Sequence, residues 1–168
     1  SEDTVWVGTG EGAPRNDVIQ GDGVYRTSDG GKSWQRVLSL HNALVARILI
    51  DPRDSNTVLV GVLGDPFADS VDRGVYRTTD GGKTWKKTLY LTPHTGVSDM
   101  DATAKAPGVV YAGMWDYRRT GWSSNGGGEN GGLYRSWDFG ASWERVRGAG
   151  LPAGPTGRIG VAIAPSNP

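Results

Sequence analysis

The sequence predicts an all-β fold, a β-propeller built of four-stranded antiparallel blades. Three observations predict it. One phrase, Ser/Thr-x-Asp-x-Gly-x-Ser/Thr-Trp, is written three times: TSDGGKSW at 27–34, TTDGGKTW at 78–85 and SWDFGASW at 136–143. The wording around each phrase repeats as well, giving units of roughly 40–50 residues with four short strands, the pattern of a propeller blade. Glycine is frequent, 27 of 168 residues, without collagen periodicity, which calls for many tight turns between short runs. No convincing apolar stripe at helical spacing extends over about ten residues; the nearest, 41–50, continues as ARILID and reads better as a strand.

Each unit is justified element by element. Strand A is ARILIDP at 46–52, VSDMDA at 97–102 and RIGVAIAP at 158–165. A Pro, Asp or Asn turn leads to strand B, which reads TVWVG at 4–8, TVLVG at 57–61 and VVYAG at 109–113. After a loop comes strand C, the Gly-Val/Leu-Tyr-Arg that opens at Gly23, Gly74 and Gly132 and runs directly into the phrase. Strand D starts at the phrase's Trp. A lone sheet of this kind cannot bury both faces, whereas sheets stacked around an axis can. The whole of 1–168 is therefore expected to form a single propeller unit of three blades: 1–40 plus 157–168, 45–92 and 96–147. The first blade lacks strand A at its own position. A C-terminus, its own or a neighbouring chain's, is expected to supply it, which would hide two sheet edges. Three blades fall below the usual ~4–8 of a closed ring, so a homo-oligomer or a place in a longer chain is expected. The absence of an initiator Met suits a sequence processed or excised from something longer.

The three phrases match the Asp-box, or BNR repeat, found in sialidases, sortilin-type domains and xyloglucan-active endoglucanases. The wider wording, WVGTGEG…GDGVYRTSDGGKSW and GLYRSWDFGASWERV…GRIGVAIAPSNP, resembles large secreted bacterial sortilin-like and BNR-repeat, glycosyl-hydrolase-like proteins over essentially the whole chain. The resemblance implies an extracytoplasmic or secreted location. It also implies boxes on the periphery, away from the functional mouth. The box is specific for fold and says little of activity.

The chemistry of the phrase agrees with a structural clasp. Asp29, Asp80 and Asp138 can accept backbone N–H bonds within the turn. Gly31, Gly82 and Gly140 suit positive φ. Ser33, Thr84 and Ser142 can tie the other side, and Trp34, Trp85 and Trp143 can pack between blades.

Composition excludes several classes. Lys+Arg and Asp+Glu are both 18, which gives nucleic acid no support as a partner. There is no Cys, hence no disulfide, thiolate metal site or Cys nucleophile. No apolar run reaches the ~18 residues of a membrane span, so no membrane insertion is expected.

Function is expected at the opposite end of the blades. The B–C loops, 9–22, 62–73 and 114–131, are long, polar and unlike one another, while the C–D turns are nearly uniform. The D–A connections, 40–45, 91–97 and 147–157, share that end and carry both histidines, His41 and His94. The candidate binding residues are Trp115, Asp116, Tyr117, Arg118, Arg119 and Trp122 of the third loop, with Glu11 and Arg15 of the first. Aromatic planes beside charged groups suit a protein or peptide surface or a sugar ring; equally, the tryptophans can simply pack on neighbouring blades. A carboxylate set, Glu11, Asp17, Asp22, Asp65, Asp69, Asp72, Asp116 and Glu129, could supply a hydrolytic pair ~5–9.5 Å apart, but no motif marks one. Among the arginines, Arg47 and Arg158 recur at the start of strand A and read as repeat geometry pairing with an Asp such as Asp99. The resulting reading is a non-catalytic binding scaffold for protein, peptide or glycan. A fragment of a glycoside hydrolase is the alternative, and a self-assembling propeller without ligand is a second. No cofactor or metal is expected; calcium held by loop oxygens stays an alternative, though no EF-hand or nonapeptide spacing supports it.

Overall fold

The computed structural model describes residues 3–12, 17–148 and 150–164. Every regular element among them is a strand, and all pairings are antiparallel. The first sheet has three strands, β1 (Val5–Gly8), β2 (Gly21–Thr27) and β3 (Gln35–Ala43), in the order β1-β2-β3. The second has four, β4 (Val45–Asp51), β5 (Asp54–Val62), β6 (Gly74–Thr78) and β7 (Lys86–Leu89), in chain order. The third opens with β8 (Thr95–Ala102) and β9 (Val110–Asp116). A small hairpin, β10 (Arg118–Arg119) with β11 (Ser124–Asn125), interrupts it before β12 (Gly132–Ser136) and β13 (Glu144–Arg145) complete the order β13-β12-β9-β8.

The sheets stack face to face, and the side-chain alternation of each strand decides which core it feeds. Val60 and Val62 of β5 enter a core shared with Val24, Leu38 and Leu40 of the first sheet. Leu59, next to Val60 and therefore on the opposite face, enters a second core with Met100, Val110 and Met114 of the third. A strand covered on both faces reads as a continuous apolar run, which is why TVLVG has no polar alternate. β1 carries nearly the same residues, yet Val5 and Val7 are each 42 % exposed, because no sheet among the described residues lies on that side. Trp6 points the other way and meets Trp85 of the second sheet edge to face at 6.1 Å.

One close approach repeats along the stack. A Cβ on Gly8 would lie 2.3 Å from Val45, and one on Gly61 2.7 Å from Val97, so glycine in strand B lets strand A of the following sheet seat directly on it. The third instance is Gly113, where a Cβ would lie within 2.9 Å of Ile159.

That third contact departs from one expectation. Residues 158–164 of this chain do not pair with β1; they run beside β8 at the other end of the stack. The Ser98 hydroxyl donates to the Ile159 carbonyl at 2.8 Å, the Val161 amide to Asp99 Oδ2 at 3.1 Å and the Ile163 amide to Asp101 Oδ2 at 2.6 Å. Side chains of β8 thus hold this segment beside the third sheet. Asp99 also faces Arg47 of β4, at 3.9 Å, the pairing expected of the recurrent arginine.

Candidate functional site

The three C–D turns are bonded internally and almost identically. In the first, Asp29 accepts the Ser33 amide at 2.9 Å on Oδ1 and the Ser33 hydroxyl at 2.6 Å on Oδ2. The Thr27 hydroxyl donates to the same Oδ1 at 2.7 Å and accepts the Gly31 amide at 3.0 Å. Asp80 with Thr78 and Thr84, and Asp138 with Ser136 and Ser142, repeat the set. These donors favour the ionised carboxylate. Bonds from Ser33 and Thr27 hold the Asp29 carboxyl well below its ordinary range, and those from Thr84 and Thr78 do the same for Asp80. Burial pushes Asp138 up, but its bonds to Ser142 and Ser136 outweigh this and bring it down to about 2.

The turns need two successive residues at positive φ: Gly30 and Gly31, Gly81 and Gly82, Phe139 and Gly140. Phe139 holds φ 51° where the other turns have glycine, and it is fully buried in the core between the second and third sheets. Packing offsets the left-handed backbone there. The box tryptophans bridge sheets. Trp85 donates to the Val37 carbonyl of β3 at 2.9 Å, and Trp143 to the Thr88 hydroxyl of β7 at 3.2 Å. Trp34 meets no other sheet among the described residues; it donates to the Gly31 carbonyl of its own turn at 3.1 Å and remains 45 % exposed.

At the opposite end, the second and third B–C loops form one connected surface. Arg73 organises it. Its guanidinium is fully buried and donates to the His94 carbonyl at 2.9 Å and the Asp65 carbonyl at 2.5 Å, joining the second loop to the following D–A connection. Burial pushes Arg73 down to about 10, against the opposing pull of Asp65 and Asp116, so it stays charged at neutral pH. The third loop is anchored to the same place. The Tyr117 amide donates to the His94 carbonyl at 3.0 Å and the Arg119 amide to the Pro66 carbonyl at 2.8 Å. Arg118 pairs with Asp69, which also faces His94 Nδ1 at 3.2 Å.

The expected third-loop residues separate into floor and surface. Trp115 and Tyr117 are buried and stacked on each other at 4.2 Å, packed with Leu44, Leu63 and Val18. They form a third core under the loops, which excludes them as a surface platform. The Trp115 indole N–H donates to the Gly126 carbonyl at 2.9 Å and so holds the far limb of its own loop. Asp116 is buried with them, beneath Gly128. Arg118 and Arg119 are half-buried, and Trp122 is 94 % exposed. Glu11 is half-buried in the first loop, its amide donating to the Ile19 carbonyl at 3.1 Å; Arg15 lies outside the described residues.

Sequence reasoning did not single out Phe67. It is exposed beside Arg119, Thr120 and Gly121 and lines with them an open hollow of about 430 Å³; Trp122 follows Gly121 in the chain. A large apolar residue inside a polar loop, after Gly-Asp-Pro, was the signal available.

A second hollow of about 260 Å³ holds three of the candidate carboxylates, Asp65, Asp69 and Asp72, beside His41. Each is already engaged. Asp65 accepts from Gln20 Nε2 and the Phe67 amide, both at 2.8 Å, and Asp72 accepts the His41 amide at 2.8 Å. Among the described residues no group of three or more His, Asp or Glu side chains has the arrangement to hold a metal ion.

Known proteins share this architecture. A crystal structure of the GH74 xyloglucanase from Xanthomonas campestris superposes with a TM-score of 0.58 over 92 % of this chain and 22 % of its own, at 16 % identity, which establishes the propeller-type fold. A curated relative, the probable oligoxyloglucan-reducing end-specific xyloglucanase of Neosartorya fischeri, is 26 % identical over 116 residues, 56 % of this chain. The chain spans only 13 % of that relative's length. The family model described as sortilin, neurotensin receptor 3, matches residues 22–149. With box turns, sheets and loops in the arrangement that match covers, the chain belongs to the Sortilin-Vps10 family.

Proposed function

We propose that this chain is a blade-built binding scaffold of an extracytoplasmic protein, and that its ligand face is formed by the B–C and D–A loops rather than by the boxes. The observation that carries the reading is the open hollow lined by the exposed Phe67 with Arg119, Thr120 and Gly121, in a loop whose next residue, Trp122, is almost wholly exposed. Aromatic and arginine side chains dominate binding surfaces, and the backbone tie from the Arg119 amide to the Pro66 carbonyl lowers the entropy lost on binding. Its ligand is a glycan or an extended peptide, both of which stack on aromatic planes and bond to guanidinium groups.

The second reading is that the chain contributes to a glycoside hydrolase. What favours it is the hollow holding Asp65, Asp69 and Asp72, together with the 26 %-identical relative, a probable xyloglucanase. Hydrolysis requires an acid and a base or nucleophile free to exchange protons. Asp65 and Asp72 instead accept structural bonds.

Calorimetric titration with xyloglucan oligosaccharides, paired with an assay of released reducing ends, separates the readings. The scaffold reading expects saturable binding, weakened about tenfold or more by Trp122→Ala or Phe67→Ala, with no release of reducing ends. Hydrolysis that disappears in Asp69→Asn would establish the second reading instead.

A further inference from the structure

Beside the boxes, the three sheets differ in one cross-strand pair. The arginine near the end of strand C lies opposite the residue that follows the box tryptophan: Arg26 opposite Gln35, Arg77 opposite Lys86 and Arg135 opposite Glu144. In the third sheet the pair is an ion pair, with Arg135 donating to Glu144 at 2.7 and 3.1 Å. In the first the partner is a neutral amide. In the second both members are cations, and like charges directly opposite each other destabilise a sheet. Lys86 is exposed and makes no hydrogen bond or ion pair among the described residues.

This cation pair lines a hollow of about 210 Å³ between the second and third sheets, together with Thr79, Thr88 and Ala141. Ala141 stands where the other two boxes carry Lys32 and Lys83, so the pair meets a methyl group there and not a third lysine. Arg77 is fixed in place by its Nε, which donates to the Phe139 carbonyl of the third box at 2.9 Å. Its two terminal nitrogens make no hydrogen bond among the described residues. Thr88 Oγ1 accepts the Trp143 indole N–H at 3.2 Å, which leaves its own proton free to be donated. The surrounding carboxylates are taken. Asp51, on which the Arg77 charge also acts, is gripped by Arg53 at 2.9 and 2.7 Å. Asp80 accepts the Thr78 and Thr84 hydroxyls at 2.8 and 2.6 Å, and Asp138 those of Ser136 and Ser142 at 2.7 and 2.6 Å.

We propose that this hollow binds a tetrahedral oxyanion, a sulfate or phosphate group, either free or as the monoester of a larger ligand. The anion takes the place that the Glu144 carboxylate has beside Arg135, and it turns a repulsive pair into two attractive contacts. The terminal nitrogens of Arg77 offer a planar fork suited to such oxygens, Lys86 adds a second charge, and the Thr79 and Thr88 hydroxyls donate to the oxygens that remain. The site stands apart from the loop face and does not depend on what that face binds.

Amide NMR titration of the 168-residue chain tests this at constant ionic strength in chloride. The probes are inorganic sulfate, inorganic phosphate, glucose 6-sulfate and glucose 6-phosphate, kept dilute so that the general stabilising effect of such salts stays small. Shifts should saturate and concentrate at Arg77, Thr79, Lys86, Thr88 and Ala141. Lys86→Gln should weaken binding about tenfold. Lys86→Glu, which installs the pairing of the third sheet, should abolish it. Lys86 is exposed, so both variants should fold. Lys83→Gln makes the same charge change outside the hollow and should bind as the wild type does. Saturation by the inorganic ions alone identifies a free ion as the ligand, and saturation by the esters as well identifies a group carried on a larger molecule. Shifts that spread over the surface without saturating overturn the proposal. So does a Lys86→Glu variant that binds as the wild type does, or an equal weakening by Lys83→Gln and Lys86→Gln.

Discussion

The turns at one end of the sheets repeat the same bonds residue for residue, whereas the loops at the other end share only their position. Thr27, Asp29 and Ser33 do what Thr78, Asp80 and Thr84 do, and each turn also donates one amide to a carbonyl of its own repeat, Gly30 to Asp3, Gly81 to Asn56 and Phe139 to Gly108. The loops are held from outside. Arg73 bonds carbonyls on two segments, Arg119 is tied to Pro66, and Trp115 and Tyr117 pack against Leu44 and Leu63 of other sheets. A turn whose hydrogen-bond set is met within its own repeat can be copied in every repeat without change. A loop that depends on its neighbours is free to differ in each repeat, which is the condition for specific binding.

The largest expected effect probes the turn end. Phe139→Ala should destabilise by about 4 kcal/mol in urea unfolding, because it empties a fully buried site. An effect below about 1 kcal/mol would mean that the left-handed backbone strain relieved there is as large as the packing lost. At the loop end, Arg73→Met should cost about 3 kcal/mol, since two carbonyls lose a charged donor. It should also weaken ligand binding, and Arg73→Lys should recover only part, as an ammonium cannot reproduce the fork.

Acid separates the two ends next. The box carboxylates are more acidic folded than the ordinary 3.8, so their contribution is complete above that pH and is lost as pH falls below it. Thermal unfolding temperature should therefore fall between about pH 4 and pH 2, and Asp80→Asn should flatten that slope while lowering stability at pH 7. The smallest expected effect is on Trp122→Ala, which should alter stability by less than about 0.5 kcal/mol because the ring is almost wholly exposed. Its consequence should be confined to binding.

Legibility in the sequence followed the same division. Strand order and the box turns could be read because each depends on residues within one repeat. Trp122 as a surface group was readable from its Gly, Ser and Asn surroundings. Trp115 and Tyr117 were not readable as floor, since the residues that bury them, Leu44 and Leu63, lie some fifty or more positions away in other repeats. Their spacing of two, continuing β9, was the one local sign. The place of 158–164 was unreadable for a related reason: its strand-like wording suits either end of the stack, and the side chains of Ser98, Asp99 and Asp101 decide between them.

The most direct test titrates xyloglucan oligosaccharides into Asp80→Asn and Trp122→Ala side by side, with the unfolding temperature of each recorded in the same buffer. Stability should fall for Asp80→Asn with the dissociation constant unchanged, and the dissociation constant should rise about tenfold for Trp122→Ala with stability unchanged. Binding lost in Asp80→Asn at full stability, with Trp122→Ala still binding as the wild type, would place the ligand at the boxes and contradict the division between the two ends.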